Sequence, residues 1–415
     1  MSFESLGLRP ELLEAVADQG YTEPTPIQHQ VIPEVLNGHD VMGGSQTGTG
    51  KTAGFTLPIL QQLMEAPKAE GKRPVRALIL APTRELAVQV GESVHTYGKY
   101  LPLRSMVVYG GVGLQPQIEK LHKGVDIVVA TPGRLLDHAQ QKNIDLSQVQ
   151  ILVLDEADRM LDMGFIPDVR RIIRLLPRER QNLLFSATLP PEIRMLAQDF
   201  LKDPVTIQVA PHNTAAEQVD QKVFPVDRSR KRELLVKLLK DGDWRQVLMF
   251  VNMKVDAGSM ARQLQREGIN AGAIHGDRTQ AKRTQVLENF KRGKVHVLVA
   301  TDIASRGLDI DQLPHVVNFE LPHVPGDYIH RIGRTGRAGN PGEAISLVSP
   351  EEYALLGNIE RLLGREIPKV IVPEFAPDPN VTRRVIKARS RMQPMPIGNP
   401  DAVANEPVRA HWSKR

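Results

Sequence analysis

The segment at residues 45–52 has the residue types and spacing that bind a triphosphate. It reads Ser45-Gln46-Thr47-Gly48-Thr49-Gly50-Lys51-Thr52 and follows a short apolar run at 40–42. Glycines let backbone N–H groups approach phosphate oxygens, Lys51 neutralises the β- and γ-phosphates, and Thr52 can ligate Mg²⁺. Ser45 replaces the glycine that usually leads this pattern. The segment predicts a phosphate loop between a strand and a helix, and a chance glycine-rich turn is the alternative.

A second candidate for chemistry is the acidic cluster Asp155-Glu156-Ala157-Asp158. It directly follows the apolar run at 151–154. A carboxylate at the carboxyl end of a parallel strand lies beside the crevice in which α/β sheets bind ligands. There Asp155 can hold the Mg²⁺ shell, and Glu156 can orient and deprotonate an attacking water. The alternative is an acidic first helical turn that only favours the helix dipole.

Both segments need strands to position them, and the chain contains many short apolar runs. These runs lie at 77–80, 126–130, 151–154, 182–185, 246–250, 295–300 and 315–319, with helix-length segments between them. Runs that are apolar throughout predict parallel strands covered on both faces. The fold class is therefore α/β.

The length of 415 residues suits two domains. A polar segment at 209–218 has no apolar stripe. We predict domains at 1–208 and 219–375, joined by this linker, and a flexible basic tail at 376–415. The tail holds eight Lys or Arg against three acidic residues, which is the whole formal excess of +5. Such an arm suits polyanions, and a merely solvated terminus is the alternative.

Several classes of protein are excluded by composition. No run approaches the roughly 18 apolar residues that a membrane span needs, and the first residues lack a secretory signal. We therefore expect a cytoplasmic protein with no membrane contact. The absence of cysteine excludes disulfides and thiolate zinc sites. Mg²⁺ is the only metal that the sequence implies.

Eight segments, in a fixed order, carry a family resemblance. They are PTPIQ with Gln28, SQTGTGKT (45–52), PTRELA (82–87), TPGR (131–134), DEAD (155–158), SAT (186–188), ATDIASRGLDI (300–310) and HRIGRTGR (330–337). Together they resemble the DEAD-box ATP-dependent RNA helicases over residues 3–370. The opening, MSFESLGL, is most similar to the bacterial RhlE-like branch. The resemblance implies two RecA-like parallel-sheet domains, with ATP and RNA bound across the cleft between them.

The resemblance implies roles for residues around the nucleotide base and sugar. Gln28 would read adenine, because its amide can both donate to and accept from the base edge. Phe3 would stack on that base, with ordinary packing as the alternative. Asp309 would contact the ribose hydroxyls.

Other residues are expected to couple the nucleotide to the second domain. Arg334 and Arg337 would act as arginine fingers that stabilise charge on the transferring phosphoryl group; an exposed basic loop is the alternative. Ser186 and Thr188 would hydrogen-bond toward the DEAD carboxylates, including Asp158, and link the nucleotide state to domain closure. Capping of a strand end is the alternative for this pair.

The second half of the chain lacks a phosphate loop of its own. The run at 248–251 leads into Asn252-Met253-Lys254, where such a loop would have to sit if both domains bound nucleotide. No Gly-Lys-Thr occurs there. We therefore expect one ATP per chain.

RNA contacts are assigned by the resemblance to small, hydroxylated or cationic residues, whose chemistry suits sugar-phosphate contact rather than base reading. In the first domain they are Pro82, Thr83, Arg84, Gly110, Gly111, Thr131, Pro132, Gly133 and Arg134. In the second domain they are Asn252, His275, Gly276, Asp277, Arg283, Thr301, Asp302 and Arg306. These segments contain no aromatic residue, so a stacking platform is not expected.

The predicted function is an ATP-dependent RNA helicase that separates short duplexes and hydrolyses ATP to ADP and phosphate to recycle. A DNA-directed helicase of the same architecture and an ATP-gated RNA clamp are the alternatives. The RhlE-like resemblance suggests ribosome assembly or RNA turnover, with a ribosomal precursor or turnover machinery as partner.

Overall fold

Two parallel sheets, one in each half of the chain, organise the molecule. The structure, a computed structural model, describes residues 2–44, 49–65, 73–208, 219–242, 244–305, 310, 313–336 and 342–379. The predicted linker at 209–218 and the tail from residue 380 onward therefore lie outside the described residues.

The first sheet is built from strands before the predicted linker. They are β1 (Val41–Gly44), β2 (Ala77–Leu80), β3 (Ser105–Val108), β4 (Ile127–Ala130), β5 (Ile151–Leu154), β6 (Gln181–Ser186) and β7 (Val205–Gln208). Their spatial order is β3-β4-β2-β5-β6-β1-β7, and the paired strands are parallel. The helices of this half are α1 (Pro10–Ala17), α2 (Pro26–Leu36), α3 (Lys51–Glu65), α4 (Arg84–Tyr97), α5 (Gln115–His122), α6 (Pro132–Gln140), α7 (Ala157–Asp162), α8 (Ile166–Ile173) and α9 (Pro191–Phe200).

The second sheet is built from strands after the linker. They are β8 (Val219–Pro225), β9 (Val247–Phe250), β10 (Ala271–Ile274), β11 (Val297–Ala300), β12 (His315–Asn318) and β13 (Gly342–Val348). Their spatial order is β10-β11-β9-β12-β13-β8, again with parallel pairs. The helices are α10 (Lys231–Asp241), α11 (Lys254–Arg266), α12 (Gln280–Lys291), α13 (Asp302–Ser305), α14 (Pro325–Ile332) and α15 (Tyr353–Leu363).

Apolar side chains cover both faces of the first sheet. Alternate residues of a strand point to opposite faces. Ile79 and Val153 accordingly belong to one hydrophobic cluster, whereas Leu78 and Leu152 belong to another. All four are completely buried. Burial on both faces explains why β2 and β5 are apolar at every position, and it confirms the predicted parallel α/β architecture.

One expectation about the second domain is wrong. We placed the position of a second phosphate loop after the run at 248–251, which the structure assigns to β9 and its end. In the first sheet the phosphate-loop segment follows β1, which is the sixth strand counted from the β3 edge. The equivalent strand of the second sheet, sixth from the β10 edge, is β8. β9 instead holds the place of β2. Local pattern could not reveal this, because strand order is a property of the whole sheet. The segment after β8, Val226-Asp227-Arg228-Ser229, also lacks Gly-Lys-Thr.

No helix among the described residues combines the length and the apolar character needed to cross a membrane.

Candidate active site

The sequence-predicted site residues collect at the carboxyl edges of the two sheets. The expected RNA segments of the first domain follow β2, β3 and β4, and those of the second follow β9, β10 and β11. Arg283, which lies within α12, is the exception. The carboxyl edge of an open parallel sheet is where such folds bind ligands. The fold therefore brings these segments, far apart in sequence, into two facing rows.

The end of the phosphate-loop segment lies at the start of α3. Lys51 is the first residue of this helix and is 6% exposed, and Thr52 beside it is half-buried. Gly50 has a φ of +93°, and a Cβ there would lie 2.5 Å from Nε2 of Gln28. Only glycine fits this approach and this backbone conformation. Ser45, Gln46, Thr47 and Gly48 lie outside the described residues.

Gln28 is tied to this loop. Its Nε2 donates to the carbonyl of Gly50 at 3.1 Å, and its Oε1 accepts from the backbone N–H of Thr25 at 2.9 Å. The second bond is half of a capping box at the start of α2. Both ends of the amide therefore hold the chain itself, and adenine reading by Gln28 stays a prediction.

Phe3 packs in the core of the first domain. It is 5% exposed and belongs to the same hydrophobic cluster as Leu6 and Leu12. This is the packing arrangement that was the alternative to base stacking, and stacking stays a prediction.

The acidic cluster begins directly after β5. The N–H of Asp155 donates to the carbonyl of Leu80 at 2.9 Å, so the sheet ladder fixes its position. Burial raises the pKa of Asp155 to about 7, against the lowering effect of Lys51. Its Oδ1 is buried and has no hydrogen-bond partner within the described part of the chain. A buried carboxylate oxygen with no protein partner, beside a lysine and a half-buried Thr52, fits the ligand chemistry of Mg²⁺.

Glu156 turns the chain from strand to helix. It has a φ of 51° and a ψ of 54°, in the left-handed region, and it is 6% exposed. A non-glycine residue in this region is uncommon and is concentrated at functional sites. The conformation places Glu156 between the end of β5 and the first residue of α7.

Asp158 is hydrogen-bonded to the SAT segment; Thr188 bonds its carboxylate as expected, whereas the Ser186 hydroxyl bonds backbone groups instead. Its Oδ2 accepts from the N–H of Thr188 at 2.8 Å and from the Thr188 hydroxyl at 2.9 Å. Its own N–H donates to the Ser186 hydroxyl at 3.1 Å, and that hydroxyl donates to the carbonyl of Thr188 at 2.6 Å. The DEAD cluster and the end of β6 thus form one rigid unit. The role of this unit in coupling stays a prediction.

Among the described residues, two sets of polar side-chain contacts cross between the domains. Arg159 bonds Asp327 through Nη1 and Oδ1 at 2.9 Å. Glu85 accepts from Gln280 at 3.0 Å and pairs with Arg283 at 2.9 Å. The Glu85 and Arg283 side chains are only 9% and 10% exposed. Arg283, which we expected to contact RNA, is therefore held by a carboxylate of the first domain, and an RNA contact there stays a prediction.

In the first domain, arginines of the expected RNA segments lie against the loop after β3. Gly111 has a φ of +79°, and a Cβ on it would lie 2.1 Å from Nη1 of Arg84. Arg134 donates to the carbonyl of Val112 through both terminal nitrogens at 3.2 Å. Thr83 caps α4 by accepting the N–H of Leu86 at 3.2 Å. Pro82, Gly110, Thr131, Pro132 and Gly133 share this edge of the sheet.

In the second domain, one residue that we did not single out organises the expected RNA segments. Arg331 is 1% exposed and bonds both carboxylate oxygens of Asp302, at 2.6 and 2.7 Å. It also donates to Oδ1 of Asn252 at 3.0 Å and to the carbonyl of Glu320 at 2.6 Å. The HRIGRTGR segment was the available signal, but residue type alone does not distinguish a buried arginine from an exposed one.

The remaining predicted residues divide between described and undescribed parts of the chain. His275, Gly276 and Asp277 follow β10, and Thr301 follows β11. Arg334 lies two residues beyond α14. Arg306, Asp309 and Arg337 lie outside the described residues.

Comparison with known proteins identifies the family. The DEAD/DEAH box helicase family matches residues 25–196, and the helicase conserved C-terminal domain matches residues 230–339. The chain is similar to the ATP-dependent RNA helicase RhlB of Pseudomonas syringae pv. tomato, with 46% identity over 88% of this chain and 93% of that protein. It is also similar to the DEAD-box ATP-dependent RNA helicase CshA of Bacillus cereus, with 44% identity over 90% of this chain and 70% of that protein. The chain therefore belongs to the DEAD/DEAH box helicase family, and within it to the DEAD-box ATP-dependent RNA helicases.

Solved structures agree with the fold and bear on the domain arrangement. S. cerevisiae Dbp5 bound to RNA and ADP BeF3 matches with a TM-score of 0.79 and 31% identity, over 94% of this chain and 100% of that one. A DEAD box protein from Methanococcus jannaschii is 40% identical but has a TM-score of 0.52, over 89% of this chain and 99% of that one. Because a score that spans two domains falls when they are arranged differently, the arrangement here resembles the one in RNA-bound Dbp5. The RhlE-like placement stays a prediction.

Proposed function

We propose that this helicase binds one ATP at the carboxyl edge of the first sheet and grips RNA along the edges of both sheets. The observation that carries the proposal is that the predicted groups of the two domains face each other and are joined by Arg159–Asp327 and Glu85–Arg283. In this arrangement the ATP site is completed by residues of the second domain.

Residues of the first domain bind and activate the nucleotide. Lys51 neutralises the β- and γ-phosphates, and Thr52 and Asp155 would hold Mg²⁺, which supplies charge neutralisation on the phosphates when it is bound. Asp155 has a buried oxygen with no protein partner, and this supports the assignment. Glu156 orients the attacking water and accepts its proton.

Residues of the second domain complete the reaction. Arg334 lies just beyond α14, the helix joined to the DEAD cluster through Asp327, and Arg337 follows it three residues later in the sequence. Their guanidinium groups stabilise negative charge that develops on the transferring phosphoryl group. Such an arrangement makes turnover depend on the two domains being closed.

RNA binding follows from the chemistry of the facing edges. Helix-start N–H groups, glycines and arginines after β2, β3 and β4 suit phosphate and sugar oxygens, which carry no base sequence. We infer sequence-independent binding of single-stranded RNA and short duplexes, with strand separation driven by closure and release driven by ATP hydrolysis. Closure that bends a gripped strand removes it from its duplex.

The cellular setting is proposed from the RhlE-like opening sequence. It supports a cytoplasmic role in ribosome assembly or RNA turnover, with a ribosomal precursor RNA or turnover machinery as partner. Crosslinking the protein to RNA in cells, followed by sequencing, tests this setting. Enrichment of neither precursor ribosomal RNA nor decay intermediates would reject it.

The most direct test of the activity is ATP turnover measured without nucleic acid, with single-stranded RNA, and with single-stranded DNA of the same length and sequence. We expect strong stimulation by RNA and little by DNA. A matched assay of short-duplex release compares ATP with a non-hydrolysable analogue. Stimulation by DNA as strong as by RNA would favour a DNA-directed enzyme, and RNA binding without duplex release in either nucleotide would favour a clamp.

A further inference from the structure

A buried ion pair joins the DEAD helix to the helix that precedes the arginine fingers. Arg159 lies on α7 directly after Asp158, and Asp327 lies in the first turn of α14. Their Nη1 and Oδ1 atoms are 2.9 Å apart. The two side chains are 8% and 16% exposed. A pair this sheltered from solvent is screened far less than a surface salt bridge.

Arg159 is held from the first domain on two sides. Its N–H donates to Oδ1 of Asp158 at 3.0 Å, and its Nη1 lies 3.2 Å from Oδ2 of Asp162. Burial would lower the pKa of Arg159, but Asp158 and Asp327 together raise it. The guanidinium is therefore charged and pre-oriented by its own domain, and Asp327 is the partner that only the second domain can supply.

Asp327 and His330 share one face of α14. Tyr328, Arg331 and Ile332 are buried among residues of the second domain. Residues three apart on a helix lie on one face, so Asp327 and His330 point away from that core together. Burial, followed by the nearby charge of Arg159, lowers the pKa of His330 to about 3 and leaves this imidazole neutral at pH 7.

Arg334 continues this face one turn further on. The helix ends at Ile332 with Gly333 as its cap, and the N–H of Arg334 bonds the carbonyl of Arg331 at 3.3 Å. One helix and one turn therefore separate Asp327 from Arg334. Holding Asp327 against the first domain thus limits where Arg334 can lie.

We propose that Arg159 and Asp327 are positioning residues, which align α14 on the DEAD helix and thereby set where Arg334 and Arg337 meet the phosphates. The proposal rests on the proposed function of those arginines. The pair is separate from the Glu85–Arg283 contact, which joins α4 to α12 among the expected RNA segments. Loss of the Arg159–Asp327 pair should therefore reduce the rate at saturating RNA and ATP more than it weakens RNA binding.

The test is a double-mutant cycle in the full chain with Arg159→Gln, Asp327→Asn and the two combined. RNA-stimulated kcat and the RNA concentration for half-maximal stimulation are measured for each. We expect each single change to lower kcat by roughly tenfold, as a coupled buried pair does, and the double variant to be no slower than the slower single one. The charge-swapped variant, Arg159→Asp with Asp327→Arg, should be faster than either reversed single variant.

Asp162→Asn provides the matched control, because it removes the charge of a side chain that is 44% exposed and leaves both the Asp158 contact and the interdomain pair of Arg159. We expect it to change kcat by no more than about twofold, the range for a half-exposed surface change. Thermal melting of every variant separates loss of folding from loss of alignment. If Arg159→Asp or Asp327→Arg lowers the melting temperature, the cycle of Arg159→Gln and Asp327→Asn still decides the test.

Two results would overturn the pair's role. In the first, the kcat losses of the two single neutral variants multiply in the double variant. In the second, the variants raise the RNA concentration for half-maximal stimulation and leave kcat unchanged. Failure of the proposed function looks different, because wild-type turnover would then be independent of RNA. Wild-type stimulation together with a non-coupled cycle rejects only the positioning role of Arg159 and Asp327.

Discussion

The two domains share a strand order but use the ends of equivalent strands differently. β5 and β12 are each fourth from one edge of their sheets. After β5, Asp155 keeps a buried oxygen with no protein partner among the described residues. After β12, the Glu320 carboxylate accepts the N–H of Asn252 at 2.7 Å. At this position the first domain therefore keeps a carboxylate oxygen without a protein partner among the described residues, whereas the second domain uses its carboxylate to fix a neighbouring loop.

Arg331 accounts for much of this difference. Its guanidinium joins the ends of β9, β11 and β12 through Asn252, Asp302 and the Glu320 carbonyl. In the first domain the corresponding edge carries a lysine, Lys51, at a helix start. The buried guanidinium of Arg331, with several acceptors in the protein, holds the edge of the second sheet rigid. The single ammonium of Lys51, at the phosphate loop, is instead suited to bind a ligand. The difference agrees with the proposed roles, in which the first domain carries the chemistry and the second presents a fixed surface to RNA and to the nucleotide.

The largest expected effect tests the chemistry assigned to the first domain. Glu156→Gln should lower RNA-stimulated turnover by roughly 10² to 10⁴, because it removes the general base. It should retain MgATP binding, since the residue does not hold the phosphates. Lys51→Ala is the paired variant and should weaken MgATP binding itself. Titration with a fluorescent ATP analogue and steady-state turnover measure both, and equal losses of nucleotide affinity in the two variants would contradict the separate roles.

A smaller effect tests the rigid edge of the second domain. Arg331→Met should lower the free energy of unfolding by about 3 kcal/mol, because it leaves the Asp302 carboxylate without its counter-charge and the Asn252 and Glu320 oxygens without a donor. RNA affinity should fall as well. Urea unfolding and RNA binding measure these changes. Lys254→Met is the control: its pair with Asp277 is 58% and 57% exposed, and its removal should cost less than about 1 kcal/mol. Equal stability of the Arg331 and Lys254 variants would remove the contrast between the domains.

The first domain has its own buried ion-pair network, away from the site. Asp126 pairs with Arg76 and Arg73, each at 2.8 Å, and accepts the N–H of Arg104 at 2.9 Å. Burial raises the pKa of Asp126, but the Arg104 N–H and the two arginines outweigh it and hold the pKa below its usual value. Asp126→Asn should destabilise the domain by about 2 kcal/mol at pH 7.

The pH dependence gives this prediction a sign. A carboxylate with a lowered folded-state pKa contributes stability that is fully present above its unfolded pKa of about 3.9 and is lost as the pH falls through the folded pKa. The stability difference between wild type and Asp126→Asn should therefore be constant from pH 5 to 8 and should shrink on further acidification. Denaturant unfolding of both proteins, within this pH range and below it, measures the stability difference. A difference that grows on acidification would contradict the pairing.

The smallest expected effect on turnover concerns the basic tail. Removal of residues 376–415 should flatten the slope of log affinity for RNA against log salt by roughly three units, if about four of its cations release counterions. Turnover at saturating RNA should barely change, because the tail follows the last helicase motif in the sequence. A lowered melting temperature with an unchanged slope would mean that residues 383–391 pack on the second domain instead.

Much of the fold could be predicted because the central strands are buried on both faces. The runs that form β2 and β5 were predicted residue for residue, and those that form β4, β9, β11 and β12 were predicted to within two residues. β3, β7, β8, β10 and β13 were not singled out. All of these except β13 are edge strands, and the sequences of β3 and β10, Ser105-Met106-Val107-Val108 and Ala271-Gly272-Ala273-Ile274, lack a continuous run of large apolar residues. An edge strand contacts one neighbour, so less of its sequence is constrained by burial.

Candidate site residues could be named from the sequence where a local motif shows the chemistry, as for Lys51, Asp155 and Glu156. The contacts of Arg159, Glu85 and Arg331 were not predicted, because they depend on residues up to 198 positions away, as for Glu85 and Arg283. Asp327 and Arg159 lie 168 positions apart and on different domains. Only the arrangement of the two sheets reveals that such residues meet.

The central claim is that a single ATP site in the first domain becomes active when arginines of the second domain reach it. It is tested most directly by RNA-stimulated ATP turnover of Arg337→Ala and Arg334→Ala beside wild type, with ATP binding to each protein measured in parallel. We predict that wild type needs RNA for turnover and that Arg337→Ala loses on the order of 10³ in the stimulated rate while still binding ATP. Full turnover without RNA in wild type, or an undiminished stimulated rate in both variants, would contradict the account.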